Sequence, residues 1–423
     1  MNSSTTSAAL LCLLAGVVAA IQDHQSVFLD KQQASALIFR QKRNVGGNQA
    51  SSLEQACMEK VCTYEEARRF FQDSYRTDIF WSVYIDGDQC AENPCKNGAM
   101  CSDSVGGYDC VCKSGFAGVH CETDQTVCTL EKNKGCSQFC KPGYISYQCS
   151  CARGWKLSRS DRNKCEPTGT YSCGKVNSLS QWESRQTTNS HSNFEGLPCT
   201  TTECPWQALL KSLESAGYCS GVILKENLVL TSAQCANKYV SFQVAVGKRT
   251  NHENGVQTLD VKLVHIHPGY NESRPENDLA VIELSNRIIF KREVIAACLP
   301  ERDFAESILM AEEFPAVVTG WKETKQVSAF QGPLMRNQLA YKPLPECLNA
   351  HPNLITNKMG CTTPRTNADC TMSSGSPLLT LYREVFFLTG VLSQPPGADC
   401  ANGYIFQKVS RYLSWLQPLM ASR

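Results

Sequence analysis

The sequence predicts a mosaic of several domains: a small helical module, two cysteine-stapled β modules, and a large all-β domain that ends in a helix. Three observations carry this. At 423 residues the chain exceeds one ordinary domain. Its 25 cysteines are densest between Cys57 and Cys173, as in oxidising compartments, where disulfides replace a core too small to hold a module together. From residue 193 onward, short β-branched runs such as "YVSFQVAVG", "VQTLDVKLVHI", "DLAVIEL" and "AVVTGW" alternate with turns, the pattern of an all-β barrel or sandwich.

The first segment, residues 1–20, contains "SAALLCLLAGVVAA", an apolar run ending in small residues. It is expected to be a signal peptide cleaved after Ala20, being too short to span a membrane. Cys12 leaves with it, and the remaining 24 cysteines are even in number, as a fully paired secreted protein requires. A net charge of +1 with 19% charged residues gives no electrostatic footprint for nucleic acid, so none is expected as a partner. Residues 21–43 close on the dibasic site "RQKR" and read as a propeptide.

Residues 44–89 hold one short cysteine loop, Cys57 to Cys62, then two expected helices, the second carrying Phe80 and Trp81. "CTYEEAR" and "IFWSVY" resemble the Gla domain of the vitamin K-dependent clotting proteases. The preceding "SVFLDKQQASALIFRQKR" is similar to the propeptide that docks the vitamin K-dependent carboxylase, with Phe28 and Ala34 at the recognition positions. The resemblance implies a Cys57–Cys62 disulfide. It also implies calcium held by carboxylated Glu54, Glu59, Glu65 and Glu66, because a second carboxyl on each glutamate clusters the hard oxygens that calcium takes. Anionic phospholipid is then the implied partner. The chain departs from the pattern: those four are the only glutamates between residues 44 and 82. Lys60, Arg69 and Gln72 stand where the family has glutamates, and "NVGGNQASS" lacks its acidic pair and bulky apolar residues. Reduced carboxylation and weak lipid docking are expected; the other reading is a helical spacer with little calcium affinity.

Six cysteines in residues 90–122 and six more in residues 124–166 leave their pairings open on spacing alone. Their spacing resembles EGF-like modules. This implies Cys90–Cys101, Cys95–Cys110 and Cys112–Cys121 in the first, with Cys128–Cys140, Cys136–Cys149 and Cys151–Cys165 in the second. "DGDQC" and "CSDSVGGYDC" together resemble the calcium-binding form of the module. By that resemblance Asp86 and Gln89 supply oxygens, Gly87 a carbonyl, and Asp103 the position often hydroxylated. The second module lacks this signature. Residues 167–192 are polar and serine-rich and read as a linker.

Residues 193–423 resemble the chymotrypsin-like serine proteases (peptidase S1) throughout. "CPWQALL", "VILKENLVLTSAQC", "ENDLAVIEL", "VVTGW" and "KVSRYLSWL" occur in the family's order. The resemblance implies a double barrel closed by a C-terminal helix, with disulfides Cys199–Cys204, Cys219–Cys235, Cys347–Cys361 and Cys370–Cys400, and Cys173–Cys298 tying the linker to the barrel. It puts the catalytic triad at Gln234, Asp278 and Ser374. A serine hydroxyl needs a base to remove its proton, and the amide of Gln234 cannot accept one near neutral pH. His265 and His267 are expected to pack or meet solvent rather than replace the base.

The family's Gly-Asp-Ser-Gly-Gly loop has become Met372-Ser373-Ser374-Gly375-Ser376, which disfavours an oxyanion hole. Activation cleavage has no site at Ser192 before Asn193-Phe194-Glu195-Gly196, and its acidic acceptor is replaced by Ser373. The specificity pocket has Ala368 at its floor beside Asp369, Ser393-Gln394-Pro395 as its wall, and Tyr404 in place of a glycine. The expectation is a non-catalytic protease homologue: Asp278 and Ser374 are kept, but the base is missing and the oxyanion loop, activation site and specificity pocket are altered with it.

In "CGKVNSL", "ERDFAESIL" and "FFLTGVLSQPPG" the resemblance extends to a non-catalytic member of the family. It implies a secreted plasma glycoprotein that binds a dedicated serpin and promotes inhibition of activated factor X, with calcium as cofactor. An active trypsin-like endopeptidase and an inactive decoy of factor VII or X are the alternatives. Asn271, in "NES", is the expected glycosylation site.

Overall fold

The computed structural model describes residue 57 and residues 61–128, 135–176, 196–213, 217–249, 255–311, 314–321, 332–364, 372–394 and 400–421. The expected leader and propeptide, Glu54, Glu59, Lys60, most of the linker, the junction before Gly196, Ala368, Asp369, Cys370 (hence the Cys370–Cys400 pair) and Pro395 lie outside the described residues. The chain forms two units. One runs to Gln89 and includes Asp103–Tyr108; the other comprises Cys90–Ser102 and Asp109 onward.

In the first unit, helices α1 (Tyr64–Phe71) and α2 (Ser74–Asp86) are set by their caps. Glu66 reaches back to accept from the Thr63 N–H at 2.8 Å, half of a capping box. Asp73 accepts from the Arg76 N–H at 2.8 Å and starts α2. Gln72 turns the chain between them at φ +53°, and Gly87 ends α2 at φ +87°. Phe71, Phe80, Trp81 and Tyr84 pack over the Cys57–Cys62 disulfide and buried Ala67. The Tyr84 hydroxyl accepts from the Cys62 N–H at 3.0 Å.

The cysteine-rich modules are short antiparallel pairs: β1 (Met100–Ser104) with β2 (Gly107–Val111), β3 (Phe116–Ala117) with β4 (Thr123–Asp124), β5 (Phe139–Lys141) with β6 (Gln148–Ser150), and β7 (Trp155–Leu157) with β8 (Cys165–Pro167). With so little apolar area, disulfides hold them: Cys90–Cys101, Cys95–Cys110 and Cys112–Cys121, then Cys128–Cys140, Cys136–Cys149 and Cys151–Cys165.

The second module has a core of its own only by sharing one. Phe139 packs against Phe304, Phe387 and Tyr382 of the large domain. Lys141 pairs with Glu301 at 3.1 Å, and the Trp155 indole N–H donates to the Cys173 carbonyl at 3.1 Å. The first described residues of the expected linker are a strap on the domain wall. Cys173 bonds Cys298, Gly174 N donates to Ala296 O at 2.8 Å, and Phe386 N donates to Gly174 O at 2.9 Å. A Cβ at Gly174 would lie 2.4 Å from the Phe386 carbonyl, so only glycine permits this approach.

The large domain follows β9 (Leu197–Pro198) with a closed six-stranded barrel: β10 (Gln207–Ser212), β11 (Gly217–Lys225), β12 (Leu228–Thr231), β13 (Phe242–Val246), β14 (Gln257–Ile266) and β15 (Ala280–Leu284), ordered β10-β11-β12-β15-β14-β13. The two-residue period sorts its side chains. Ile223, Val229, Val244 and Ile282 fill one core, while Val222, Leu224, Leu228 and Leu230 face a second core with Trp206, Leu379 and Phe386.

The second half comprises β16 (Ala316–Gly320), β17 (Met335–Leu339), β18 (Met359–Cys361), β19 (Pro377–Tyr382), β20 (Val385–Leu392) and β21 (Ile405–Lys408). With β9 they form a seven-stranded sheet ordered β18-β21-β20-β19-β16-β17-β9, and a bridge between Tyr341 and Thr362 links its two flanks. Helix α3 (Ala233–Asn237) follows β12, and α4 (Leu344–Ala350) is tied to β18 by Cys347–Cys361. The C-terminal helix begins as a 3-10 turn, Val409–Tyr412, before α5 (Leu413–Ala421), whose Leu416 enters the inter-half core.

Candidate functional site

Two sites carry the residues singled out by sequence. The triad positions expected from the sequence are built where β12 ends. Ser232 caps α3 by accepting from the Cys235 N–H at 3.1 Å, and the Cys219–Cys235 disulfide pins the helix to β11. This places Gln234 with its side chain exposed. Asp278, buried just before β15, accepts from the Gln234 backbone N–H at 2.8 Å on one oxygen and from the Ser393 hydroxyl at 2.7 Å on the other. Burial raises its carboxyl above the ordinary range, while the donors Ser393, Gln234 and Ala233 pull it back.

Ser374 lies on the turn before β19. Its hydroxyl donates to Ser232 Oγ at 3.0 Å. Ser373, buried beside it and expected from the sequence to replace the family's acid, meets Ser220 Oγ at 2.9 Å and Ser376 Oγ at 3.4 Å, so three neutral hydroxyls gather there. Gly375 sits at φ +81°, where a Cβ would lie 2.2 Å from Ser220 O and 2.5 Å from Thr231 Oγ1.

Met372 and Tyr404 are both buried and share an apolar cluster with Leu378, Leu392 and Phe406. The Met372 N–H points to the Tyr404 hydroxyl in a long bond of 3.4 Å, and its carbonyl accepts from the Gln394 amide at 3.0 Å. His265 pairs with Glu283 at 3.5 Å. His267 stacks edge-on against Tyr412 and Trp415, and its Nδ1 accepts from the Gly269 N–H; burial, then Lys358, lower its pKa. Neither histidine joins the triad residues. A cleft of about 230 Å³ lies elsewhere, lined by residues such as Tyr171, Leu224, Phe290 and Met420.

The calcium-type site lies in the first unit. Gln89 N donates to Asp103 Oδ1 at 3.0 Å, Gln89 Nε2 to the Asp86 carbonyl at 3.0 Å, and Gly106 N to Asp86 Oδ2. Two oxygens are left over: Gln89 Oε1 and Asp103 Oδ2 are buried with no hydrogen-bond donor. Buried acceptors without donors are costly unless a cation takes them, and an all-oxygen set fits calcium. Asp88 was missed in the sequence; its carboxylate lies within 4.8 Å of that of Asp103, and the second acid of "DGDQC" was the signal. Gln89, Asp103 and Asp88 are the residues that would hold the ion, while Asp86, expected from the sequence as a ligand, instead accepts from Gly106 N and Gln89 Nε2. Glu65 is exposed on α1, while Glu66 is engaged in its cap. Asn271 is exposed in a turn where its Oδ1 accepts from the Ser273 N–H at 2.9 Å.

Residues 48–85 match the vitamin K-dependent carboxylation/gamma-carboxyglutamic (GLA) domain, residues 90–120 the EGF-like domain, and residues 194–416 the trypsin family. Among solved structures, neuropsin, a serine protease expressed in the limbic system of mouse brain, matches at 26% identity. The match covers 53% of this chain and 99% of that one, with a TM-score of 0.46. Gla, EGF-like and trypsin-like domains in this order are the architecture of the vitamin K-dependent clotting proteases. The chain belongs to the trypsin family, with a β-rich chymotrypsin-like fold. Its Gla domain implies calcium binding and vitamin K-dependent carboxylation. Gla and EGF domains with this many disulfides mark a secreted, extracellular protein; among the described residues no helix is long and apolar enough to cross a membrane.

Proposed function

We propose that the chain is a non-catalytic cofactor of the kind protein Z represents. It binds a dedicated serpin, the protein Z-dependent protease inhibitor, through its trypsin-like domain and promotes inhibition of activated factor X in plasma. The observation that carries this reading is Gln234: its backbone N–H meets Asp278, but its side chain is an exposed amide, and among the described residues no side-chain base links Asp278 to Ser374, whose hydroxyl donates to Ser232. Supporting it, the Met372 N–H that would serve an oxyanion faces the Tyr404 phenol. A serpin cofactor needs the shape and charge of the barrel, and these survive the loss of a triad.

Incubation with diisopropyl fluorophosphate is expected to leave Ser374 unlabelled, and arginyl esters are expected to remain intact. Labelling or turnover would sink the non-catalytic reading in favour of an active endopeptidase. Capture from plasma separates the rest: a serpin recovered with the chain supports the cofactor, whereas tissue factor points to a decoy of factor VII or X. Anionic phospholipid binding in calcium, compared with a chain lacking residues 44–89, tests the lipid-dependent half of the role.

A further inference from the structure

We infer that the β7–β8 hairpin of the second cysteine-rich module is a binding site for a linear sulfated polysaccharide. The inference does not depend on the proposed cofactor role. From Cys151 to Pro167, the end of β8, the chain carries Arg153, Lys156, Arg159, Arg162 and Lys164 against two acids, Asp161 and Glu166 (the latter opposite Lys156 in register), a net charge of +3 where the whole chain has +1. All five cations are exposed, and none forms an ion pair among the described residues.

Most surface charge is merely solvated, so the geometry of this cluster matters. The one acid within the tip is occupied by the turn: Asp161 Oδ1 accepts from the Asn163 N–H at 2.9 Å and its carbonyl from the Lys164 N–H at 3.0 Å. Ser158 N donates to Lys164 O at 2.8 Å, Cys165 N donates to Ser137 Oγ at 2.6 Å, and Cys151–Cys165 closes the base. The cations therefore stand on a rigid frame, and little backbone entropy is lost when a ligand binds. Arginine forks match the oxygens of a sulfate, and sulfate charge persists at all physiological pH.

Two other polyanions fit less well. A lipid surface is gripped by apolar residues as well as charge, but the tip from Ser158 to Lys164 has none, and Leu157 at its base is the single exposed large apolar side chain of the hairpin. Single-stranded nucleic acid needs aromatic platforms, and the one ring between Cys151 and Cys165, Trp155, is turned to the strap, where its N–H meets Cys173.

The test uses the full chain on immobilised heparin, with fully desulfated heparin as control, over a salt series. Binding is expected to need sulfate. The variant R159A/R162A/K164A should weaken it about tenfold or more near physiological salt and flatten the log–log salt slope by about three. R274A/R287A/R292A, an equal charge loss at exposed barrel positions, should bind like the wild type. An unchanged affinity in the hairpin variant, an equal loss in both variants, or equal binding to the desulfated polymer would each overturn the assignment. So would phosphatidylserine vesicles whose binding, rather than heparin's, falls in the hairpin variant. If the alanine variant is not secreted, R159Q/R162Q/K164Q reads out the same outcomes.

Discussion

The calcium-type site and the triad positions both gather carboxylates and amides, yet they treat their polar atoms in opposite ways. Around Gln89 and Asp103 two buried oxygens have no donor. Around Asp278 and Ser374 each named side-chain oxygen has found a neighbour: Gln234 N and Ser393 for the acid, Ser232 for the hydroxyl, Ser220 and Ser376 for Ser373. On the proposed reading, the first set leaves groups for a ligand to take, and the second has settled its groups among themselves.

The largest expected effect comes from breaking the closed site. Gly375→Ala drives a methyl group into Ser220 O and Thr231 Oγ1 at a left-handed φ, and should cost about 3 kcal/mol or more in denaturant titration. Calcium affinity, read in the same protein, should not move. Ser393→Ala removes a donor to Asp278 and should cost about 1–3 kcal/mol. Its pH dependence follows from burial, which already raises the carboxyl above its unfolded value. Such a group favours the fold when protonated, and that advantage disappears as pH rises through the folded value. Without Ser393 the carboxyl rises further, so the loss should be greater at pH 7 than below about pH 4.

On the other side, Asp103→Asn takes away a charged ligand oxygen and should weaken calcium binding about tenfold or more by isothermal titration, with barrel stability unchanged. The smallest effect is Ser373→Ala, about 1 kcal/mol, because its hydroxyl partners can turn to one another. A loss above about 3 kcal/mol there would mean that the three hydroxyls do more than fill space.

The sequence made the backbone frame legible because its signals are local. "LVLTSAQC" encodes a strand, a serine cap and a helix start within a few residues, and the β-branched runs mark strands by their period. Local signals do not say what a side chain meets from far along the chain. Tyr404 was readable as an obstruction, but its hydroxyl facing the Met372 N–H depends on β20 pairing with β21 on one side and with the Ser374 turn at Leu392. Ser374 donating to Ser232 spans 142 positions. The polar composition after Pro167 reads as linker, since Gly174 enters the wall through backbone hydrogen bonds that any sequence could make but only a glycine has room for. Asp88 was overlooked because one acid among several near a cysteine carries no geometry.

Phe139, wedged among Phe304, Phe387 and Tyr382, has a mechanical meaning. With the Cys173–Cys298 bond alongside, an aromatic wedge and a covalent tie meet at the joint between the second module and the large domain. A load applied to the Arg159 hairpin is expected to reach the barrel through that joint, as through the handle of a key.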